Sequence, residues 1–236
     1  MKTIFHPAAE RGHANFGWLD SHHSFSFGQW HNPQKMHFGA IRVLNDDVVK
    51  GGAGFGTHPH DNMEIISIPL SGALAHKDST GTSEVINTGD VQIMSAGSGI
   101  SHSEFNASKT DPVNFLQVWL FPKQRDIKPR YDQKTFAETG RINQWQVVVS
   151  PDENDQAVWI NQDAKFSFAT IDAGKELVYK NAFHGNGIYF FVLDGRVIIA
   201  DKELNKRDAL GVSETDDVVV KATGKTSLLA IEVPML

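Results

Sequence analysis

Hydrophobic positions along this chain fall in short runs rather than in long helical periods. The runs are rich in Val, Ile, Leu and Phe, and glycine, aspartate, asparagine or proline separates each run from the next. Such runs are typical of buried strands bounded by turns, and their spacing predicts an all-β sandwich or barrel. The predicted strands are residues 40–49, 64–72, 91–97, 114–121, 145–150, 165–171, 187–200, 217–222 and 227–233.

A weak internal repeat divides the chain into two β units. Residues 64–72 form a predicted strand that ends in Leu-Ser-Gly, and residues 187–195 form one that ends in Leu-Asp-Gly. The last predicted strand of each half ends in an apolar residue before a proline, at Pro122 and at Pro234. Residues 123–145 are polar and mark a boundary. Because the same order of features occurs twice, we predict two β-barrels in tandem.

Helices and membrane segments have little support in the sequence. No segment shows a long apolar period of 3.6 residues, so we expect at most one short helix, over residues 132–139. No window approaches the roughly 18 apolar residues of a membrane span, and residues 1–13 lack the apolar core of a signal peptide. We therefore expect a cytoplasmic protein that does not enter a membrane.

Composition narrows the classes of function. The chain has 236 residues, a formal net charge of -6 and no cysteine. The absence of cysteine excludes disulfide scaffolds, thiol catalysis and zinc–thiolate sites. A weakly acidic chain with scattered basic residues has no positive field to attract phosphate, so we expect no direct nucleic-acid partner.

Two pairs of metal-capable residues are the main candidates for chemistry. His58 and His60 form the first pair, and His102 and Glu104 form the second. Residues two apart on a strand point to the same face, so two neighbouring strands could bring three imidazoles and one carboxylate together. That set suits a first-row divalent ion and is common for non-haem iron. The alternative is chance, since a chain with 11 histidines can carry such pairs on its surface.

The surrounding motifs resemble those of the pirin family within the cupin superfamily, in particular bacterial pirin-like proteins of the quercetin 2,3-dioxygenase type. The matching residues are the block 10–27, Gly52, His58, Pro59, His60, Glu64 and Gly72 of the first cupin motif, Gly89, Gly97, His102 and Asn106 of the second, and the block 116–122. Ser95 stands where the general cupin pattern has proline, and extra residues precede Gly72 and His102.

The resemblance implies a bicupin with a single metal centre. Residues 1–132 would be an N-terminal cupin that holds one divalent ion, and residues 133–236 a C-terminal cupin without a metal site. Residues 146–236 contain only one histidine, His184, which agrees with that expectation. Iron(II) is the family default, although this donor set also accepts other first-row metals. The ligands that the resemblance implies are His58, His60, His102 and Glu104.

The resemblance also implies a reaction: cleavage of a flavonol, a small aromatic substrate, by O2 with release of carbon monoxide. Glu104 is the first candidate for the acceptor of the substrate's hydroxyl proton, and Glu64 is the second. If one strand continued from His58 to Glu64, the side chain of Glu64 would point to the same face as those of His58 and His60. Glu64 could therefore act at the metal, or it could be a structural carboxylate.

Two other functions remain open at this point. Some pirins resemble iron-binding, redox-responsive proteins that act through a protein partner, and a bicupin could also act on another small molecule. Fold alone does not decide between these functions. We expect a monomer.

Several further side chains have two interpretations. His13, His22 and His23 either form a lid or pocket wall beside the metal or fix the N-terminal segment to the barrel, and His23 fits the pirin pattern best. His76 is expected to be a structural histidine. The remaining candidates either line an apolar pocket or belong to the core: Phe25, Phe27, Phe55 and Trp119.

Overall fold

The computed structural model describes residues 1–236 and consists almost entirely of β-strands. The only helices are short 3₁₀-helices at Ala8–Glu10, Glu138–Arg141 and Glu153–Asp155. None of them has the length or the apolar sequence needed to cross a membrane. The predicted all-β class is confirmed.

The N-terminal half contains one large and one small antiparallel sheet. Strands are numbered in chain order, and within each sheet every strand pairs with the one named next to it. The seven-stranded sheet is β12 (Arg130–Thr135), β9 (Asp90–Ser95), β6 (Glu64–Ser71), β11 (Val113–Leu120), β4 (Ile41–Val49), β3 (Leu19–His23) and β2 (Gly12–Asn15). The four-stranded sheet is β5 (Gly54–His60), β10 (Ile100–Asn106), β7 (Ala73–Asp78) and β8 (Ser83–Asn87).

The C-terminal half repeats this arrangement, as the internal repeat of the sequence predicts. Its seven-stranded sheet is β1 (Lys2–His6), β20 (Ala209–Ser213), β17 (Asn186–Asp194), β22 (Thr226–Pro234), β15 (Lys165–Ile171), β13 (Gln146–Ser150) and β14 (Val158–Trp159). Its four-stranded sheet is β16 (Glu176–Lys180), β21 (Asp217–Ala222), β18 (Arg196–Ile199) and β19 (Lys202–Asn205). Each half is a jelly-roll-like pair of sheets rather than a closed barrel.

Strand pairing differs from the sequence-based expectations at residues 132–139. The helix predicted over residues 132–139 is wrong, because β12 pairs with β9 as far as Thr135 and only a 3₁₀ turn follows. The boundary between residues 132 and 133 stays a prediction. Strand β12 continues the N-terminal sheet to residue 135, whereas β1, at the start of the chain, pairs with β20 in the C-terminal sheet.

The largest core lies between the two halves. Apolar side chains of both seven-stranded sheets form one buried cluster, with Ile66 and Val118 on the N-terminal side and Phe191 and Ile231 on the C-terminal side. Burying an aliphatic or aromatic side chain of this size stabilises a fold by about 1.5–3 kcal/mol. The two halves therefore share their main source of stability.

The interiors of the two halves differ in chemistry. In the C-terminal half, Val218 and Val220 on β21 point into an apolar cluster that fills the space between its sheets. The corresponding strand in the N-terminal half, β10, instead buries His102 and Glu104. The N-terminal half therefore buries polar side chains at strand positions where the C-terminal half buries apolar ones.

Candidate metal centre and its cavity

Three predicted ligands meet where β5 and β10 pair. His102 lies opposite His58, and Ile100 lies opposite His60. The ring centroids are 4.5 Å apart for His58 and His102, and 5.0 Å apart for His60 and His102. Their ligand nitrogens all lie within 4.8 Å of one another. The two-residue spacing and antiparallel pairing thus bring the three imidazoles together.

The hydrogen bonding of these histidines fits a bound cation. His60 Nε2 and both ring nitrogens of His102 are buried without a partner, and His58 uses only Nδ1, 2.8 Å from the Gly56 carbonyl oxygen. Buried polar atoms are normally paired, and a bound cation would satisfy these nitrogens. Burial lowers the pKa of His60 to about 4 and that of His102 to about 3. Both rings are therefore neutral near pH 7, the form that binds metals.

Glu104 lies next to this cluster and is held by the larger sheet. Ser67 Oγ is 3.0 Å from Oε1, and Gln117 Nε2 donates to Oε2 over 2.8 Å. Burial raises the pKa of the Glu104 carboxyl group. Its carboxylate forms a potential ligand group with His102 and His76, and it lines the same cavity as the other two predicted histidines. His102 therefore belongs both to this group and to the group that it forms with His58 and His60.

Glu64 lies elsewhere. Its carboxylate Oε2 accepts hydrogen bonds from Ser95 Oγ over 2.8 Å and from the backbone N–H of Asn161, in the C-terminal half, over 3.2 Å. Burial raises its pKa to about 7. The expected strand parity with the histidines is wrong, because β5 ends at His60 and Glu64 begins β6 in the other sheet.

His76 is both a structural histidine and a neighbour of the site. Its Nε2 is 3.0 Å from Asp78 Oδ2, while its Nδ1 is buried without a partner. It pairs in register with Glu104, and its ring centroid is 5.3 Å from that of His102. Alternation along β7 places His76 on the inner face with Leu74, a signal that was available in the sequence.

A cavity of about 850 Å³ adjoins the candidate ligands. Trp119 packs edge-on against His60 at 4.9 Å and against Phe27 at 5.5 Å between ring centroids. Phe55 also lines the cavity, whereas Phe25 lies in the core between the two halves. The aromatic lining consists of Phe16, Trp18, Phe27, Trp30, Phe55 and Trp119.

The N-terminal block forms one wall of this cavity. His23 on β3 is buried in the wall and His13 on β2 lies at its exposed edge, so the interpretation as a pocket wall is correct for these two residues. His22 does not line the cavity, and its ring stacks on that of His13 at 4.5 Å outside. His13, His22 and Asp20 form a separate exposed group.

Sequence reasoning missed a row of polar side chains in the wall. His23 pairs with Asn45 across β3 and β4, Asn45 with Gln117 on β11, and Gln117 with Ser67 on β6. Asp47 lies two residues beyond Asn45 on the same face and also lines the cavity. The signal in the sequence was the polar interruption Asn45 to Asp47 within an otherwise apolar strand.

Both halves of the chain match known families. Residues 5–120 match the family Pirin, and residues 147–233 match the quercetinase C-terminal cupin domain. The quercetin 2,3-dioxygenase of Escherichia coli K12 is 39% identical over 228 residues, which are 96% of each chain. A pirin-like protein of Caulobacter vibrioides is 34% identical over 227 residues, which are 96% of this chain and 97% of the relative.

Solved structures agree with this assignment. The crystal structure of the bacterial pirin YhhW from Escherichia coli in complex with nickel(II) matches over 100% of both chains, with a TM-score of 0.94 and 37% identity. A quercetin 2,3-dioxygenase from Acinetobacter baumannii shares the fold, with a TM-score of 0.80 at 18% identity over 100% of this chain and 86% of that one. The expected bicupin architecture is confirmed, and the chain belongs to the pirin family.

Proposed function

We propose that this protein is a metal-dependent dioxygenase of the quercetinase type, which cleaves a flavonol with O2 and releases carbon monoxide. The observation that carries the proposal is the cluster of the His58, His60 and His102 imidazoles beside an aromatic cavity, in which His60 and His102 have buried nitrogens without a partner. Relatives that match along nearly the whole chain bear the name quercetin 2,3-dioxygenase, which supports the same activity.

The proposed centre holds one divalent ion through His58, His60, His102 and Glu104. Iron(II) is the proposed ion, because mixed imidazole–carboxylate sites suit it, and the nickel(II) complex of YhhW supports a divalent first-row metal. When bound, the ion supplies Lewis-acid and redox chemistry toward the substrate and O2. The carbonyl oxygen of Gly56 accepts a hydrogen bond from His58 Nδ1–H, which leaves Nε2 of that ring as the ligand atom.

The cavity has the properties that a flat, hydroxylated aromatic substrate requires. Its volume of about 850 Å³ lies within the range of small-molecule sites, about 300–1,000 Å³. Phe27 and Trp119 offer ring surface to such a substrate. Trp119 Nε1–H is buried without a partner and can donate to a substrate oxygen.

Glu104 is the proposed acceptor of the substrate's hydroxyl proton. A general base works best when its proton affinity is raised toward the working pH, and burial raises the pKa of this carboxyl group. Ser67 and Gln117 fix its orientation from the facing sheet. Glu64, the other acceptor expected from the sequence, is hydrogen-bonded at the contact between the halves, so of the two glutamates Glu104 is the one that lines the cavity.

Oxygen uptake tests this proposal. Protein reconstituted with iron(II) is mixed with quercetin, and the rate of O2 consumption is compared with that of His102→Ala. His184→Ala is the matched control, since His184 is exposed in the C-terminal half. We expect uptake by the wild type and the control and none by His102→Ala. An absence of uptake by protein that holds one metal ion per chain would refute the flavonol reaction and favour a redox-responsive interaction role.

A further inference from the structure

Four buried polar side chains face the candidate ligands from the opposite sheet, and the proposed reaction leaves them without a role. They are Ser21 and His23 on β3 and Asn45 and Asp47 on β4, and all four line the cavity. In the register of the two strands, Ser21 lies opposite Asp47 and His23 lies opposite Asn45. Polar groups on the inner face of a sheet cost free energy unless they are paired or serve a ligand.

Three of these side chains form a hydrogen-bonded chain. Ser21 Oγ donates to Asp47 Oδ1, and His23 Nε2 lies 2.8 Å from Ser21 Oγ. A hydroxyl group has one hydrogen, so when Ser21 donates to the Asp47 carboxylate it must accept from His23 Nε2–H. The neutral ring then carries its lone pair on Nδ1, which is buried and has no partner in the protein.

We propose that His23, Ser21 and Asp47 form a proton relay that takes up a hydroxyl proton of the bound substrate. The substrate O–H bond breaks as an N–H bond forms at His23 Nδ1. The Nε2 proton passes to Ser21 Oγ, and the hydroxyl proton of Ser21 passes to Asp47. The relay ends with a neutral imidazole in the other tautomer and a neutral Asp47 carboxyl group, and the substrate becomes an oxyanion.

The charges around Asp47 favour it as the end point. Burial is the main cause that raises its pKa to about 7, and the negative charges of Asp46 and Glu104 act in the same direction, against the hydrogen bond from Ser21. Arg11 and Arg207 form ion pairs with Asp46 rather than with Asp47. A carboxyl group with a pKa near 7 is partly ionised at neutral pH, so it can accept a proton there and keep it.

The charges around His23 make it a carrier rather than a store for the proton. Burial, followed by the neighbouring His22 and His13, lowers the pKa of His23 to about 4. A lasting positive charge on this ring is therefore unfavourable near neutral pH. A concerted shift through Ser21 avoids that charge, because the ring loses a proton at Nε2 as it gains one at Nδ1.

The relay rests on the proposed function for its class of ligand, a flat aromatic molecule with an acidic hydroxyl group. It gives that proton a destination on the sheet opposite Glu104. The relay changes the proposed function at this one point: Asp47 replaces Glu104 as the final acceptor of the proton, and Glu104 remains a metal ligand throughout the reaction. Phe27, whose ring meets that of His23 edge-on at 5.3 Å, offers the adjoining surface for the substrate ring.

Three variants separate the parts of the relay. Asp47→Asn keeps an acceptor for Ser21 but has no carboxylate to take the proton. Ser21→Ala breaks the link, and His23→Asn places an amide near the former Nδ1 without a base. His22→Gln is the matched control, since His22 is the next residue on β3 and does not line the cavity.

The probe is quercetin, bound without O2 to nickel-loaded protein. Absorption reports ionisation, because a deprotonated flavonol absorbs at longer wavelength, and calorimetry in buffers of different ionisation enthalpy counts the protons released. We expect the wild type and His22→Gln to bind ionised quercetin without releasing a proton. In Asp47→Asn and Ser21→Ala, ionisation should occur only with release of about one proton per quercetin. In a separate measurement of O2 uptake by iron(II)-loaded protein, turnover of His23→Asn should fall by about 10²- to 10⁴-fold.

The outcomes distinguish the relay from the proposed function. If the relay variants ionise quercetin like the wild type with no proton released, the relay is overturned even if O2 uptake persists. If the wild type binds ionised quercetin through His23 and Asp47 but consumes no O2, the relay stands and the dioxygenase proposal fails. Absence of quercetin binding by the metal-loaded wild type would overturn both.

Discussion

Gln117 and Ser67 orient one of the candidate metal ligands, Glu104. Both reach Glu104 from the large sheet and occupy its two oxygens, so the carboxylate has one orientation. His60 and His102, in contrast, have nitrogens that no protein group satisfies. At this scale, unpartnered nitrogens indicate where a cation would bind, and the hydrogen bonds to Glu104 indicate which side chains orient a ligand.

Gln117→Leu should weaken metal binding by about 10- to 100-fold, the usual cost of losing a partner that orients a ligand. Leucine has nearly the same size but cannot donate to Glu104. Isothermal titration of metal-free protein with nickel(II) measures the effect. Gln92→Leu is the matched control, because Gln92 lies in the same polar row, is buried and has no hydrogen bond to Glu104. Equal loss in both variants would contradict the proposed role of Gln117.

The sequence predicted that the side chains of the three histidines lie close together, because strand alternation depends only on local spacing. The position of Glu64 depended on where the chain changes sheet, which no local pattern determines. Asn45 and Asp47 were missed for a related reason. Alternation shows that they share a face, but only the paired strands show that this face lines a cavity.

At the scale of elements, the close contact of β5 with β10 aligns the histidines. A Cβ atom added to Gly54 would lie 2.4 Å from the Glu104 carbonyl oxygen and 2.5 Å from Phe105 Cα. Glycine is therefore required there by close backbone approach rather than by turn geometry. The glycines of this strand also include Gly56, where an added Cβ would meet nothing within 4 Å.

Gly54→Ala should lower the free energy of unfolding by about 1–3 kcal/mol, the usual cost of overpacking. It should also weaken metal binding, because β5 must move away from β10 and carries two ligands with it. Denaturant unfolding and nickel(II) titration measure the two effects. Gly56→Ala, two residues along the same strand, should change neither, and a similar loss in that variant would contradict the argument from close approach.

Strand β1 contributes a pH-sensitive contact to the C-terminal sheet. His6 Nδ1 is 2.8 Å from the Tyr189 hydroxyl group, and burial lowers the pKa of His6 to about 4. An unfolded histidine has a pKa of about 6.5. Between these values the unfolded chain binds more protons, so His6 makes stability fall as the pH decreases from about 6.5 toward 4.

His6→Asn should reduce this acid sensitivity, because asparagine can keep the bond to Tyr189 but does not titrate. The wild type should lose up to about 3 kcal/mol more than the variant between pH 7 and pH 4. Urea unfolding of both proteins across this range measures the difference. Parallel stability curves would show that His6 is not the group responsible.

Edge strands were the elements that sequence patterns described least well. Strand β12 reads as polar and lacks a long apolar run, yet its backbone pairs with β9 along its length. Strand β1 is mostly exposed, and its backbone pairs with β20 at the edge of the C-terminal sheet. Such strands are determined by the partner's unpaired backbone rather than by their own side chains. This explains the mistaken helix and the missing strand at the start of the chain.

At the scale of the whole molecule, one half carries the candidate chemistry and the other supports it. The halves share the buried cluster between their large sheets, and β1 ties the start of the chain to the C-terminal half. The repeat predicted two similar units. It did not predict that the largest core lies between them, because a strand's apolar residues do not reveal which partner covers them.

The whole chain should therefore unfold in one cooperative transition, and metal should shift that transition as a whole. Nickel(II) at 100 times its dissociation constant should add about 2.7 kcal/mol to the free energy of unfolding. Calorimetry with and without the metal measures both properties, and His102→Ala should show no shift. Two separate transitions, of which only one responds to metal, would contradict a shared core.

Carbon monoxide release during quercetin turnover tests the central claim most directly. Protein reconstituted with iron(II) reacts in a sealed vessel, and carbon monoxide and consumed O2 are measured together. The proposed dioxygenase reaction predicts about one carbon monoxide for each O2 consumed, since ring cleavage incorporates both oxygen atoms. His102→Ala should produce neither change. Consumption of O2 without carbon monoxide, or equal release by His102→Ala, would contradict a metal-dependent flavonol dioxygenase at this centre.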